Sequence, residues 1–319
     1  SLDELWPEAR ETTSLRLPRV PVPFSMKALF WKNFFSAVDD GLKIWERFSP
    51  RPFRKRAVET ARVWLEERLA VPGGLGGFFP AMTNAVLALR TLGYPEDHPL
   101  VLGQLKELDA LAVETADSLH YQPCMSPIWD TAIAVCAMVE SGVAPDDPAL
   151  ARAAEWMLDK QILVPGDWQM KRPNVEPGGW AFQYNNDFYP DLDDTAMVLM
   201  ALEKVRGLDP ARLRFARDRG LRWFLGMQGS DGGWASFDAD NNRLILNNIP
   251  FADHGALLDP STEDLTGRGL ELLGTLGYGL DHPAVRPAIE FLKRTQHGDG
   301  PWHGRWGVNY IYGTWSVLR

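Results

Sequence analysis

A unit of helix, glutamine, glycine turn and tryptophan recurs along this chain and restricts the folds open to it. One copy runs Arg219-Gly220-Leu221-Arg222-Trp223-Phe224-Leu225 to Gln228, then Asp231-Gly232-Gly233-Trp234. A second runs Arg286-Pro287-Ala288-Ile289-Glu290-Phe291-Leu292 to Gln296, then Asp299-Gly300-Pro301-Trp302. A third runs Ala153-Ala154-Glu155-Trp156-Met157-Leu158 to Gln161, then Gly166-Asp167-Trp168, so the glutamines stand 67 and 68 residues apart. Ala61-Arg62-Val63-Trp64-Leu65, followed by the glycine-rich stretch 73–78, is a decayed fourth copy. Each unit reads as a helix pair with a loop. A lone unit cannot bury its own apolar face, so the units must stack into a solenoid or a closed α/α ring. The Gln and Trp are expected to clamp the stack. The amide bonds orphan backbone groups at a neighbouring helix end and the indole packs over it, which is a structural role.

The rest of the chain agrees with an all-α fold. Pro7, Pro18, Pro21 and Pro23 make the first 23 residues extended and irregular. Residues 24–48 lack Pro and carry Leu29, Phe30, Phe34, Val38 and Trp45 near helical spacing, widened by Trp31, Phe35 and Leu42. Further helices are predicted over 52–70, 81–93, 128–141, 148–161, 194–206, 211–228, 262–276 and 284–296. Alternation with period two is rare, so little β-structure is expected. A formal net charge of −9 makes the chain a poor nucleic-acid binder. Two cysteines, Cys124 and Cys136, cannot form a disulfide framework. No apolar run reaches the roughly 18 residues of a membrane span, and Ser1-Leu2-Asp3-Glu4-Leu5 does not resemble a signal peptide.

The sharpest chemical feature is Tyr189-Pro190-Asp191-Leu192-Asp193-Asp194-Thr195-Ala196, opening a helix. Helix capping accounts for one aspartate well and for three poorly. If the three share a cavity, their repulsion keeps at least one protonated near neutral pH. Asp264 and Arg268 are four apart on one helix face, which also suits a plain surface ion pair. The six histidines show no paired metal spacing, and His120 with Cys124 is the nearest approach to a ligand pair. No P-loop, dinucleotide fingerprint or nucleophile elbow is present. Aromatics flank glycine or polar residues in Gly178-Gly179-Trp180-Ala181-Phe182-Gln183 and Gly304-Arg305-Trp306-Gly307. Such ring faces can line a cavity and stabilise a cation.

The Asp191–Ala196 motif together with the Gln…Gly-x-Trp repeats resembles the squalene–hopene cyclases. Gly233-Trp234-Ala235-Ser236-Phe237-Asp238-Ala239-Asp240-Asn241, Gly304-Arg305-Trp306-Gly307-Val308-Asn309-Tyr310 and Ser126-Pro127-Ile128-Trp129-Asp130-Thr131 strengthen the likeness. The aspartates alone also admit class II diterpene cyclases; the repeated clamps favour the triterpene branch. The resemblance implies two α/α barrels around a dry cavity, with residues 1–124 in the second barrel and 125–319 in the catalytic one. The family is about twice this length, so a fragment lacking both ends is expected, each barrel incomplete.

The resemblance also implies a mechanism. Squalene offers only alkenes, so a strong, water-shielded acid must protonate a terminal C=C bond. The middle aspartate, Asp193, is then the donor, with Asp191 and Asp194 orienting it. A cation beside it strengthens the acid. Some members place His there; Arg268 stands in its place and cannot relay a proton, so Asp264, Tyr312 and water are left to return it. Trp129, Phe182 and Trp306 match cation-stabilising positions. Phe237 falls where some members have Tyr, and Phe79 near the quenching end. Hopene and hopanol are the implied products, without metal or organic cofactor.

The same likeness puts the 24–48 helix on an apolar plateau, with Phe30, Trp31, Phe34 and Phe35 dipping into one leaflet. It implies a peripheral or monotopic enzyme at the cytoplasmic face of the cell membrane, a homodimer when full length, with squalene and membrane lipid as partners and no nucleic acid. Two other readings remain open on the residues themselves: an α/α-barrel glycoside hydrolase using Asp pairs and Trp platforms, and an inactive helical-repeat scaffold.

Overall fold

The computed structural model describes residues 26–48, 51–71, 73, 75–249, 257–307 and 309–319. The extended segment expected over the first 23 residues lies outside the described residues. The chain divides into two compact units. The first holds α1 (Met26–Phe48), which begins and ends within two residues of the predicted span. Its rings Phe30, Trp31, Phe34 and Phe35 form one cluster, with neighbouring centroids such as Phe34 and Phe35 5.2 Å apart. Phe30, Phe34, Trp45 and Phe48 are exposed.

The second unit carries α2 (Arg51–Leu69), α3 (Phe79–Thr91), α4 (Pro99–Asp109), α5 (Pro127–Glu140), α6 (Pro148–Asp159), α7 (Leu192–Lys204), α8 (Pro210–Gly226), α9 (Glu263–Thr275), α10 (Val285–Thr295) and α11 (Tyr310–Leu318). All eight predicted helices beyond α1 are present, shifted by no more than two residues at either end. Outside the predicted spans lie α4, α11 and a short antiparallel pair, β1 (Ala112–Glu114) and β2 (Leu119–Tyr121). Proline stands in the first turn of α3, α4, α5, α6 and α8, where its missing N–H costs nothing. Asp147 and Asp209 cap α6 and α8 by accepting from Ala149 N and Ala211 N, each at 2.7 Å.

The helices from α5 onward form two rows. α5, α7, α9 and α11 follow one another as an inner row, while α6, α8 and α10 back them as hairpin partners. This is the helix-pair stacking that the repeat requires. Inner α7 is buried on nearly every face, from Asp194 through Leu202. Outer α10 buries only Val285, Ala288, Phe291 and Leu292, the stripe of an amphipathic helix. Gly267 allows α9 and α11 to touch: a Cβ there would lie 2.6 Å from the Ser316 carbonyl oxygen.

The clamps are as expected in kind. Gln228 Nε2 donates to the Gly232 and Ala284 carbonyls at 2.8 and 2.9 Å, and Trp234 Nε1 donates to Phe224 O at 2.9 Å. Gln296 and Trp302 repeat the pattern on Gly300 O and Leu292 O. In the third clamp the expected tryptophan is corrected. Gln161 bonds Gly178 O and Ala216 O, and the indole that closes this clamp is Trp180, donating to Met157 O at 2.7 Å. Trp168 instead packs edge-on to Trp223, with its own indole N–H buried and unpartnered. An inserted loop separates Gln161 from its tryptophan, and Trp168 is the first Gly-x-Trp within that loop.

A second tie positions the aspartate motif. Arg68, on α2, pairs with Asp167 and lies 3.4 Å from the Tyr189 hydroxyl, which itself donates to Asp167 Oδ2 at 2.7 Å. The segment leading into Asp191 is therefore pinned two residues upstream.

Candidate active site

Asp191 begins as a capping residue. Its Oδ1 accepts from Asp193 N at 2.7 Å and from Asp194 N at 3.3 Å, closing the first turn of α7. Unlike a surface cap it is buried, as is Asp194. Capping thus explains one of the three carboxylates, and all three line a single cavity of about 390 Å³. Trp129, Phe182, Phe237, Trp306 and Tyr312 supply its aromatic walls, with Phe78 and Cys124 also exposed to it.

The three carboxyls differ in environment. Burial pushes the pKa of Asp191 well up, reinforced by the charge of Asp193 and opposed by its two backbone N–H bonds. Asp194 is raised well above the usual range by burial and by both neighbours, and its Oδ1 has no hydrogen-bond partner. Asp193 is also raised by burial, but Arg268 pulls in the other direction. Arg268 Nε donates to Asp193 Oδ1 at 2.9 Å. Its Nη1 donates to Glu271 Oε2 at 2.7 Å, and its Nη2 lies 3.4 Å from the Tyr312 hydroxyl oxygen. The side chain is only 2% exposed, so the surface ion pair that the i, i+4 spacing with Asp264 admitted is not what forms. Burial, then the Asp193 charge, push the Tyr312 phenol up to about 12.

The aromatic wall is held by polar bonds. Trp306 N donates to Asp264 Oδ2 at 3.2 Å, and Trp306 Nε1 donates to Ser236 Oγ at 2.6 Å. Phe237 meets Trp306 edge to face, with centroids 6.2 Å apart. The Phe237 loop is fastened by Asp259, which accepts from Ser236 N, Phe237 N and Asp238 N. Leu192 N donates to Ser236 O at 2.9 Å, joining this loop to the head of α7.

The structure therefore brings together Asp191, Asp193, Asp194, Trp129, Phe182, Trp306, Phe237 and Tyr312, with Arg268 and Asp264 bonded to members of that set. Phe79 stands apart: its ring packs on Tyr121 with centroids 5.3 Å apart, and its neighbour Phe78 lines the cavity. Ser236, Asp259 and Glu271 escaped the sequence reading. Only Glu271 left a local signal, three residues beyond Arg268 on one face of α9. Chemically, the cavity offers carboxyl groups held toward the protonated state, one of them facing a fixed cation, opposite an apolar aromatic wall.

Two family models match the chain: the squalene-hopene cyclase C-terminal domain over residues 125–319 and the N-terminal domain over residues 1–117. The chain belongs to the squalene–hopene cyclase family. A squalene–hopene cyclase of Zymomonas mobilis is 42% identical over 332 residues, covering 99% of this chain and 50% of the relative. One of Bradyrhizobium diazoefficiens is 45% identical over 300 residues, covering 92% and 45%. A dammaradiene synthase of Dryopteris crassirhizoma is 41% identical over 327 residues, covering 100% and 47%. The chain spans about half the length of the curated relatives it matches. These matches agree with the all-α fold and give the glycoside hydrolase and scaffold readings no support. Among the described residues, no helix is long and apolar enough to cross a membrane.

Proposed function

We propose that this protein is a class II triterpene cyclase that protonates squalene and closes its rings through carbocations to hopene and hopanol, with residues 125–319 carrying the chemistry. One observation carries the proposal: a largely buried carboxyl, Asp193, its side chain 13% exposed, bonded to a buried guanidinium, Arg268, at the wall of an aromatic cavity.

An isolated alkene is a very weak base, so protonation needs an acid whose conjugate base is stabilised in place. Burial raises the pKa of Asp193 and so favours its protonated form, against the opposing pull of Arg268. Once the proton leaves, the carboxylate faces Arg268. Unit charges about 4 Å apart gain roughly 4 kcal/mol at an effective dielectric of about 20. The neutral acid gains far less, so most of this favours the transferred state, worth about 10³ in rate. Asp191 and Asp194, held toward their neutral forms, orient the donor without adding negative charge that would attract the proton back.

Each later cation is sheltered by ring faces: Trp129 and Phe182, then Trp306 and Phe237, which their bonds to Ser236 and Asp259 hold in place before the substrate arrives. Arg268 remains charged and relays nothing. Tyr312, whose oxygen sits beside Arg268, and Asp264 are the groups proposed to return a proton from water. The exposed Phe30 and Phe34 of α1 support a peripheral seat in a lipid surface, where squalene is dissolved. A homodimer at the cytoplasmic face belongs to the same proposal.

The test is squalene conversion in detergent micelles, with pentacyclic products read by mass spectrometry. Product is expected from the parent and none from Asp193→Asn; equal product from both overturns the donor assignment.

A further inference from the structure

Five ion pairs run in file from the acid to the outside of the helix layer. Asp193 Oδ1 meets Arg268 Nε at 2.9 Å, and Arg268 Nη1 meets Glu271 Oε2 at 2.7 Å. Glu271 Oε1 then meets Arg319 Nε at 2.8 Å, and Arg319 Nη2 meets Glu140 Oε1 at 3.1 Å. Lys204 Nζ, 3.2 Å from the same Glu140 oxygen, ends the file. Side-chain exposure is 13% at Asp193 and lowest at Arg268, 2%; it then climbs through 12% at Glu271 and 37% at Arg319 to 49% at Glu140, with 29% at Lys204. α7, α9 and α5 contribute, together with Arg319, the residue capping the C-terminal end of α11.

We propose that Glu271 is a positioning residue for the acid, gripping the far edge of the Arg268 guanidinium while Arg319 offsets its charge. This rests on Asp193 being the proton donor. A guanidinium is a rigid planar fork, so fixing the Nη1 edge fixes where Nε points. Glu271 lies three residues beyond Arg268 on one face of α9, and their bond therefore needs no loop to hold it. Besides Asp193, Glu271 and the Tyr312 oxygen, the ring faces of Trp129 and Trp315 stand 5.9 and 5.3 Å from the guanidinium carbon. Neither fixes a rotation.

Charge supplies the second half. Glu271 by itself cancels Arg268 and leaves nothing for the carboxylate that forms at Asp193. Arg319 supplies the missing positive charge, and proton transfer brings the inner four groups to neutrality. The other groups around Asp193 are Asp191 and Asp194 on α7, Asp264 on α9 and Tyr312 on α11. Asp259 faces Asp191, and Asp130 on α5 faces Asp194. None of these contacts Glu271 in the file.

The experiment is a pH titration of the Asp193 carboxyl in the 319-residue chain, by isotope-edited infrared spectroscopy with the Asp193→Asn spectrum subtracted. Glu271→Gln keeps an acceptor for Nη1 but removes a negative charge, so Asp193 is expected to titrate lower by about one pH unit. Arg319→Gln exposes the Glu271 charge, so Asp193 is expected to titrate higher by a similar amount, and Arg319→Lys to restore the parent value. Titrations that stay put while only melting temperature falls, or that move in the same direction, overturn the proposal. If Glu271→Gln lacks native circular dichroism, Arg319→Gln decides alone, an upward move sustaining the proposal and any other result overturning it. Squalene turnover is assayed in parallel. Absence of turnover in the parent overturns the cyclase reading and leaves the titration result standing.

Discussion

Arg268 Nε donates to Asp193 Oδ1 across 2.9 Å and 75 residues of sequence. That bond separates Asp193 from its two neighbours: Asp191 caps the helix, Asp194 is buried without a partner at Oδ1, and Asp193 alone faces a cation. Arg268→Gln should therefore lower cyclisation by about 10³, the equivalent of roughly 4 kcal/mol at the barrier. Arg268→Lys keeps the charge but loses the fork, so turnover should fall between the two. Breaking a buried pair also costs stability, about 3 kcal/mol, read by chemical denaturation. Equal turnover in the Lys and Gln variants would contradict a role for charge.

The buried aspartates give the fold a pH dependence of definite sign. Asp194 ordinarily titrates near 3.8 and is raised well above that in the folded chain by burial and by Asp191 and Asp193. The folded state therefore binds this proton more tightly than the unfolded state does. The associated stability is fully present below about pH 4 and is lost as pH rises through the folded value. Asp194→Asn carries no charge to bury. Its melting temperature relative to the parent should rise from pH 4 toward pH 8; a difference that stays flat or falls contradicts the raised value.

The clamps should not be energetically equal. Gln228 satisfies two carbonyls, Gly232 and Ala284, and is partly buried. Gln228→Ala should cost about 1–3 kcal/mol, because those acceptors lose their donor. The exposed Gln296, bonded to Gly300 O, should cost under about 1 kcal/mol when replaced by Ala. Denaturant midpoints of the two variants make the comparison.

The two tryptophans of the inserted loop give a sharper contrast. Trp180→Phe loses the bond to Met157 O, which keeps only its 3.1 Å bond from Lys160 N, at a cost of about 1 kcal/mol. Trp168→Phe removes an indole N–H that has no partner while keeping a ring against Trp223. It should be near neutral in the same measurement.

The legibility of this fold follows the range of the forces involved. Eight helices beyond α1 could be read because glycine and proline punctuate them and the repeat gives their spacing. α4 was missed because Leu100-Val101-Leu102 runs continuously apolar and Gly103 interrupts the pattern. Gln161 and Trp180 stand 19 apart where Gln228 and Trp234 stand 6 apart, so the nearer Trp168 took the wrong place. At the site, the aspartates were legible because all three fall within four residues at the head of one helix. Asp259 and Ser236 were not, since their partners are fixed only by loops folding back over α7. Phe78 and Phe79 differ by one residue, and that choice depends on how the first turn of α3 is presented.

The proton itself is the most direct witness. Squalene incubated with the protein in D₂O should yield pentacyclic product carrying one deuteron at the carbon that was the terminal alkene CH, located by mass spectrometry and ²H NMR. Asp193→Asn should yield no deuterated product above background. Deuterium delivered to that carbon at parental rate by Asp193→Asn would contradict Asp193 as the acid.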